Sequence, residues 1–106
     1  MDTTEIPLPA GAERVYDWHD VGTDDEGRFF YGRGWVIERA AHQRRDMFVD
    51  IQGVQRPTGE VERVITAGEL HPDIPITTAQ ARKIGRALIT AADEMDRLSD
   101  LDGTIR

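Results

Sequence analysis

RFFYGRGWVIER, residues 28–39, carries the strongest strand signal in the chain, and its reading organises everything around it. Aromatic and β-branched residues recur at every second position, the period at which a pleated strand sends side chains to one face. Taken as unbroken, the alternation puts Phe29, Tyr31, Arg33, Trp35 and Ile37 on one face and Phe30, Gly32, Gly34, Val36 and Glu38 on the other. The two glycines leave a strip without side chains, which predicts a large neighbour such as Trp18 or a helix packed across it, or a β-bulge.

Moving towards the N-terminus, VGTDDEG (21–27) combines two glycines with three consecutive acids and reads as a hairpin loop. Before it, Glu13 to Val21 alternates, with Tyr16 and Trp18 pointing one way and Val15, Asp17 and His19 the other. Residues 1–11, with Pro7, Pro9 and Gly11 around isolated Ile6 and Leu8, form an extended arm that is ordered only if it docks. Moving the other way, AAHQRRD predicts a turn and DMFVDIQGV a strand with Met47, Val49 and Ile51 inward. QRPTG predicts a second turn. EVERVITA then sets Val61 and Ile65 opposite Glu62, Val64 and Thr66. Strands joined in sequence by short turns make an antiparallel meander.

Pro72 and Pro75 interrupt regular structure, and a helix follows. Thr77 and Gln80, three residues apart, form a capping box. From there Ala81, Ile84, Leu88, Ala91, Met95 and Leu98 recur at spacings of three and four, an apolar stripe. Gly85 and Ala92 beside it predict a close approach to a sheet, and the helix should end near Ser99. Its charges run against the macrodipole: Arg82, Lys83 and Arg86 come first, Asp93, Glu94 and Asp96 later. Asp93 and Arg97 have the spacing of a stabilising pair, and an antiparallel self-pair would set each basic half against an acidic half. The expected architecture is α+β: a three- to four-stranded antiparallel meander packed against one long C-terminal helix, with residues 1–11 as an arm and 12–106 as a single domain.

At 106 residues the chain has room for one core. With 39% hydrophobic and 31% charged residues it is composed like a globular domain. The sequence has no apolar run of membrane-spanning length, and MDTTEIPLPAGAE lacks the basic and apolar regions of an export signal, so the expectation is a cytoplasmic protein. The absence of cysteine removes disulfides, thiolate chemistry and Cys-ligated metals. The formal charge of −7 is weighted to residues 1–53, with 11 acids against 6 bases, and such a surface disfavours phosphate backbones and anionic membranes.

Motifs for chemistry are few. DWHDVGTDDEG (17–27) fails the calcium-loop template in either starting register. Asp17 and His19, two apart on a strand, could share an ion, but a site needs further ligands, and His42 or His71 would have to supply them. GRG at 32–34 lacks the third glycine and the strand-to-helix turn of a dinucleotide fingerprint. The sole serine, Ser99, has no histidine beside it in sequence. Nothing in the motifs points to a cofactor or a small-molecule substrate.

The segment VDIQGVQRPTGEVERVITA followed by ITTAQARKIGRALITAADEMDRL resembles the C-terminal portion of small actinobacterial and actinophage proteins. These end in a strand pair and a helix of the form LT-x-x-x-A-R-x-x-A-x-A-L-x-x-A-A-D. Thr77, Ala81, Arg82, Ala87, Leu88, Ala91, Ala92 and Asp93 match it over about half the chain. The resemblance implies the strand-plus-helix fold and a phage or prophage setting, and it carries no assigned activity. Members often have Cys and His upstream; the absence of Cys here means that no metal role is carried over.

All seven aromatics fall between Tyr16 and Phe48, and a sheet with one helix layer buries only one face. The expected function is therefore an interaction module that binds a protein partner or a second copy of itself through aromatic and acidic surface. The candidate residues are Tyr16, Trp18, Asp24, Asp25, Glu26, Tyr31, Arg33 and Trp35. Two alternatives remain. One is nucleic-acid binding through Arg28, Arg33, Arg39, Arg44 and Arg45. The other is a metal-dependent enzyme built on Asp17 and His19.

Overall fold

The computed structural model describes residues 6–39 and 45–102. Four strands, β1 (Arg14–His19), β2 (Gly27–Ile37), β3 (Met47–Gln55) and β4 (Val61–Gly68), precede one helix, α1 (Thr78–Asp102). Every strand pairs antiparallel with its neighbour in sequence, so the chain forms the α+β meander that the alternation predicts. The expected turn at AAHQRRD falls largely on residues 40–44, outside the described residues, and takes His42 and Arg44 with it.

β3 is the spine of the sheet. Met47, Val49, Ile51, Gly53 and Gln55 are buried on the helix side, while Phe48, Asp50, Gln52 and Val54 face the other way, half-buried. β4 keeps the predicted parity, with Ile65 opposite Ile51 and Val64 opposite Gln52. β2 does not. Its register against β3 shifts between Tyr31 and Gly34, so that Gly32 and Arg33 together oppose one residue of β3. A bulge of this kind switches side-chain parity. As a result Phe30, Trp35 and Ile37 lie on the helix side, and Phe29, Tyr31, Gly34 and Val36 on the open side. The bare strip expected from Gly32 and Gly34 is resolved by the bulge.

A second bulge, between Val15 and Trp18, does the same to β1. Tyr16 and Trp18, expected on one face, are separated: Tyr16 packs edge-on against Tyr31 at 5.9 Å, and Trp18 pairs with Arg28 on the helix side. Two glycines accept phenyl rings from the strand beside them. Phe30 lies across Gly53 and Phe48 across Gly68, so close that a Cβ at either glycine would overlap the ring.

The capping box forms: the Thr77 N–H donates to Gln80 Oε1 at 2.9 Å, and the Gln80 N–H donates to Thr77 Oγ1 at 3.1 Å. Gln80 Nε2 also donates to the Glu38 carbonyl at 3.1 Å, which ties the start of α1 to the end of β2. The buried stripe is Ile84, Ala87, Ala91 and Leu98, with Met95 beside it, against Ile37, Met47, Val49 and Ile51. Ala81 and Leu88, expected in that stripe, are exposed, and Ala87 takes the inner position. The close approach comes from Ala87 and Ala91; nothing lies within 4 Å of where a Gly85 Cβ would be. Arg97 pairs with Glu94 rather than Asp93, and that hydrogen bond raises its pKa above the ordinary arginine value.

α1 runs past Ser99 to Asp102 because its last residue has partners. Asp102 Oδ1 accepts the Ala10 N–H at 2.8 Å, and its other oxygen pairs with Arg63 of β4. Arg63 donates to the Ala10 carbonyl at 3.0 Å and lies 5.7 Å from the centre of the Phe30 ring. The arm therefore docks. Ile6 is buried, Pro7 O accepts from the buried Gln55 amide at 2.9 Å, and Gly11 lies against the Leu98 methyls with φ of +70°. Arm and helix together cover the inner face of the sheet.

Candidate interaction surface

The outer face of the sheet has no second layer among the described residues. Four rungs cross it: Phe29, Val54 and Glu62; Arg14, Tyr31, Gln52 and Val64; Gly34, Asp50 and Thr66; then Val36, Phe48 and Gly68. Phe29 is 53% exposed, Val36 67% and Val64 55%. Tyr16 and Tyr31 are exposed beside Phe29. Large apolar side chains held in water by a rigid sheet are a feature of contact surfaces, since each returns roughly 25 cal/mol per Å² when covered.

The aromatic end of this face is well ordered. The His19 ring stacks on Phe29 at 4.6 Å, and the Arg14 guanidinium lies 4.9 Å over Tyr16. The middle is polar and mutually satisfied: Thr66 donates to Asp50, and Gln52 Nε2 donates to Asp50 at 3.1 Å and to Thr66 at 3.0 Å. Apolar patches thus flank a fixed polar centre.

Beside the aromatic end sits the hairpin loop with its acids. Asp20 adopts a positive φ of 53°, the Thr23 hydroxyl donates to the Asp20 carbonyl at 2.7 Å, and the Gly22 N–H donates to Glu26 at 2.7 Å. The loop is stapled by its own side chains. Asp24 and Asp25 project into water at its tip. Residues 17–26 carry five acids and no Lys or Arg, so the loop gives one end of the face a strong negative field.

Of the eight residues singled out from sequence, the structure gathers five: Tyr16 and Tyr31 on the open face, with Asp24, Asp25 and Glu26 in the adjoining loop. Trp18, Arg33 and Trp35 do not join them. Trp18 lies under the Arg28 guanidinium at 4.8 Å, and Trp35 packs against the helix-side core with Arg33 4.9 Å over its ring. Phe29, Val36 and Val64 complete the face. Val64 was legible as an apolar residue on the polar side of its strand, and Phe29 as sharing a face with Tyr31; Val36 needed the bulge to be placed.

Residues of the two alternatives are used differently. Arg28 donates to Gln55 at 2.9 Å and to the Ile6 carbonyl at 3.2 Å, and the buried Arg39 donates to the Glu69 carbonyl at 3.0 Å. Both guanidiniums are engaged inside the fold. Asp17 falls in the β1 bulge, and His19 Nδ1 pairs instead with Asp20 at 3.1 Å. Among the described residues no group of three or more His, Asp or Glu side chains is placed to hold a metal ion. A recess of about 660 Å³ lies between the arm, the β3–β4 turn and the end of α1. Asp102 on its wall is already paired with Arg63. No described helix is long and apolar enough to cross a membrane. Compared with protein-family models, curated proteins and solved structures, the chain matches none.

Proposed function

We propose that the chain is a small cytoplasmic interaction module that docks a protein partner on the open face of its sheet. The observation that carries this reading is the exposure of Phe29, Tyr31, Val36 and Val64 on a face whose backbone is fixed by the sheet. Such a surface is preorganised, so a partner pays little ordering entropy on that side. The acidic loop at 20–26 selects for positive charge near the aromatic end and speeds encounter. A protein is favoured over a nucleic acid because Arg28 and Arg39 hold the fold together and the surface is net acidic. An actinobacterial or phage setting rests on the resemblance of the C-terminal half alone.

Affinity capture with tagged wild-type protein and with Phe29→Asp tests it. The wild type should enrich a protein that the variant loses, with both baits folded by circular dichroism. Equal recovery by both, or no specific protein with either, contradicts the proposal.

A further inference from the structure

An open meander leaves two edge strands, and here β1 and β4 are finished differently. β1 is short, bulged between Val15 and Trp18, and runs into the acidic loop, features that discourage another strand from adding to it. β4 has none of them: it pairs with β3 without a register shift and contains neither lysine nor proline. The backbone groups that it leaves over can be named. At the base of the β3–β4 turn the Arg56 N–H donates to the Glu60 carbonyl at 2.8 Å. Hydrogen-bonded and non-hydrogen-bonded pairs alternate along an antiparallel ladder, so that bond sets the phase of the whole strand. Glu62, Val64, Thr66 and Gly68 turn their N–H and C=O groups towards β3, and Val61, Arg63, Ile65 and Ala67 turn theirs outward. Arg63 shows the result. Its side chain is 2% exposed, yet the residue as a whole is only half-buried, so the surface that it keeps is backbone. Among the described residues nothing hydrogen-bonds to these outward groups.

A line of alternating donors and acceptors is matched by an extended strand. The symmetry of β4 says which one. When two copies meet about a two-fold axis normal to the sheet, β4 pairs antiparallel with itself and the open faces stay on the same side. An axis at Val64 is the one that pairs every outward residue within the strand, Val61 with Ala67 of the copy and Arg63 with Ile65 of the copy. In that register Val64, 55% exposed in the single chain, meets itself, and Glu62 meets Thr66. The neighbouring registers are worse. An axis at Glu62 sets acid against acid, and one at Arg63 sets guanidinium against guanidinium. An axis at Ile65 runs Val61 against Glu69, where a φ of +62° has already turned the chain out of the strand.

We infer that β4 pairs antiparallel with β4 of a second copy about an axis at Val64, which joins the two sheets and makes their open faces one continuous surface. The pairing goes beyond the proposed function and does not depend on it, because it uses edge backbone and is measured with no other protein present.

Sedimentation over a concentration series and cysteine cross-linking test it. Wild-type protein should be a reversible dimer. Ala67→Pro removes an outward N–H and no bond to β3, and it should weaken the dimer by about tenfold or more. Val64→Lys and Val64→Glu each set like charges across the axis and should weaken it as much, while mixing the two should restore association. Ala67 and Val64 are exposed, and circular dichroism verifies folding. The chain has no cysteine, so Val64→Cys introduces a single thiol at the axis, where paired Cα atoms lie about 4.5 Å apart, and should give a disulfide-linked dimer on oxidation. Glu62→Cys should not, since its copy would lie about 14 Å away along the strand. A monomeric wild type, a dimer that survives Ala67→Pro and Val64→Lys alike, charge variants that do not associate when mixed, or equal cross-linking at 62 and 64 would overturn the inference.

Discussion

Phe29 and Phe30 are neighbours of identical chemistry on opposite sides of the sheet. Phe30 is 1% exposed and lies across Gly53; Phe29 stands in water against His19. Phe30→Ala should therefore cost about 3–5 kcal/mol of stability in a urea melt. Phe29→Ala should cost about 1 kcal/mol or less while reducing partner capture. Such a split separates contact from support, because a purely structural role for Phe29 would couple the two effects. Gly53 makes the matching case from the backbone side. A methyl there would meet the Phe30 ring and the Glu62 carbonyl, so Gly53→Ala should destabilise by about 1–3 kcal/mol despite being the smallest possible change.

At the level of elements, the two bulges decide which aromatics are exposed. Deleting Arg33 would leave Gly32 alone opposite Ile51 and the rest of β2 on its present faces, whereas inserting one residue between Gly34 and Trp35 would force Trp35 and Ile37, or else Phe30, onto the wrong face. The loss of burial is roughly 3–5 kcal/mol, read as a lowered melting temperature or a molten spectrum. Replacing Thr77 with Ala tests the helix start, at about 1 kcal/mol. The elements themselves were legible in the sequence: period-two patterns gave the strands, turn residues their order, and Thr77 with Gln80 the beginning of α1. What was not legible was phase. Tyr16 with Asp17, and Gly32 with Arg33, each add one residue, and an extra residue leaves no mark on an alternating pattern except the glycine. The inner stripe of α1 is displaced for a related reason. Ala81 and Leu88 fit the helical period as well as Ala87 does, and only contact with β3 chooses between them. The candidate site inherited both ambiguities, which is why Trp18 and Trp35 were expected beside Tyr16 and Tyr31.

For the molecule as a whole, the arm, β4 and α1 meet at one buried pair. The Arg63 and Asp102 side chains are 2% and 10% exposed, and Ala10 is bonded to both. No local signal marks this contact, since Asp102 and Arg63 are distant in sequence. Removing one partner leaves the other's charge buried, so Asp102→Asn should destabilise by about 3–5 kcal/mol and raise proteolysis of residues 6–12. With arm and helix both committed to the inner face, the outer face is left as the surface on which a partner can act. NMR of isotope-labelled protein titrated with the captured partner tests that most directly. The account expects shift changes and broadening at Tyr16, Phe29, Tyr31, Val36 and Val64, with the core residues Ile84 and Leu98 unmoved. Perturbation confined to the outward side of α1 or to the arm, with those five residues unchanged, would contradict it.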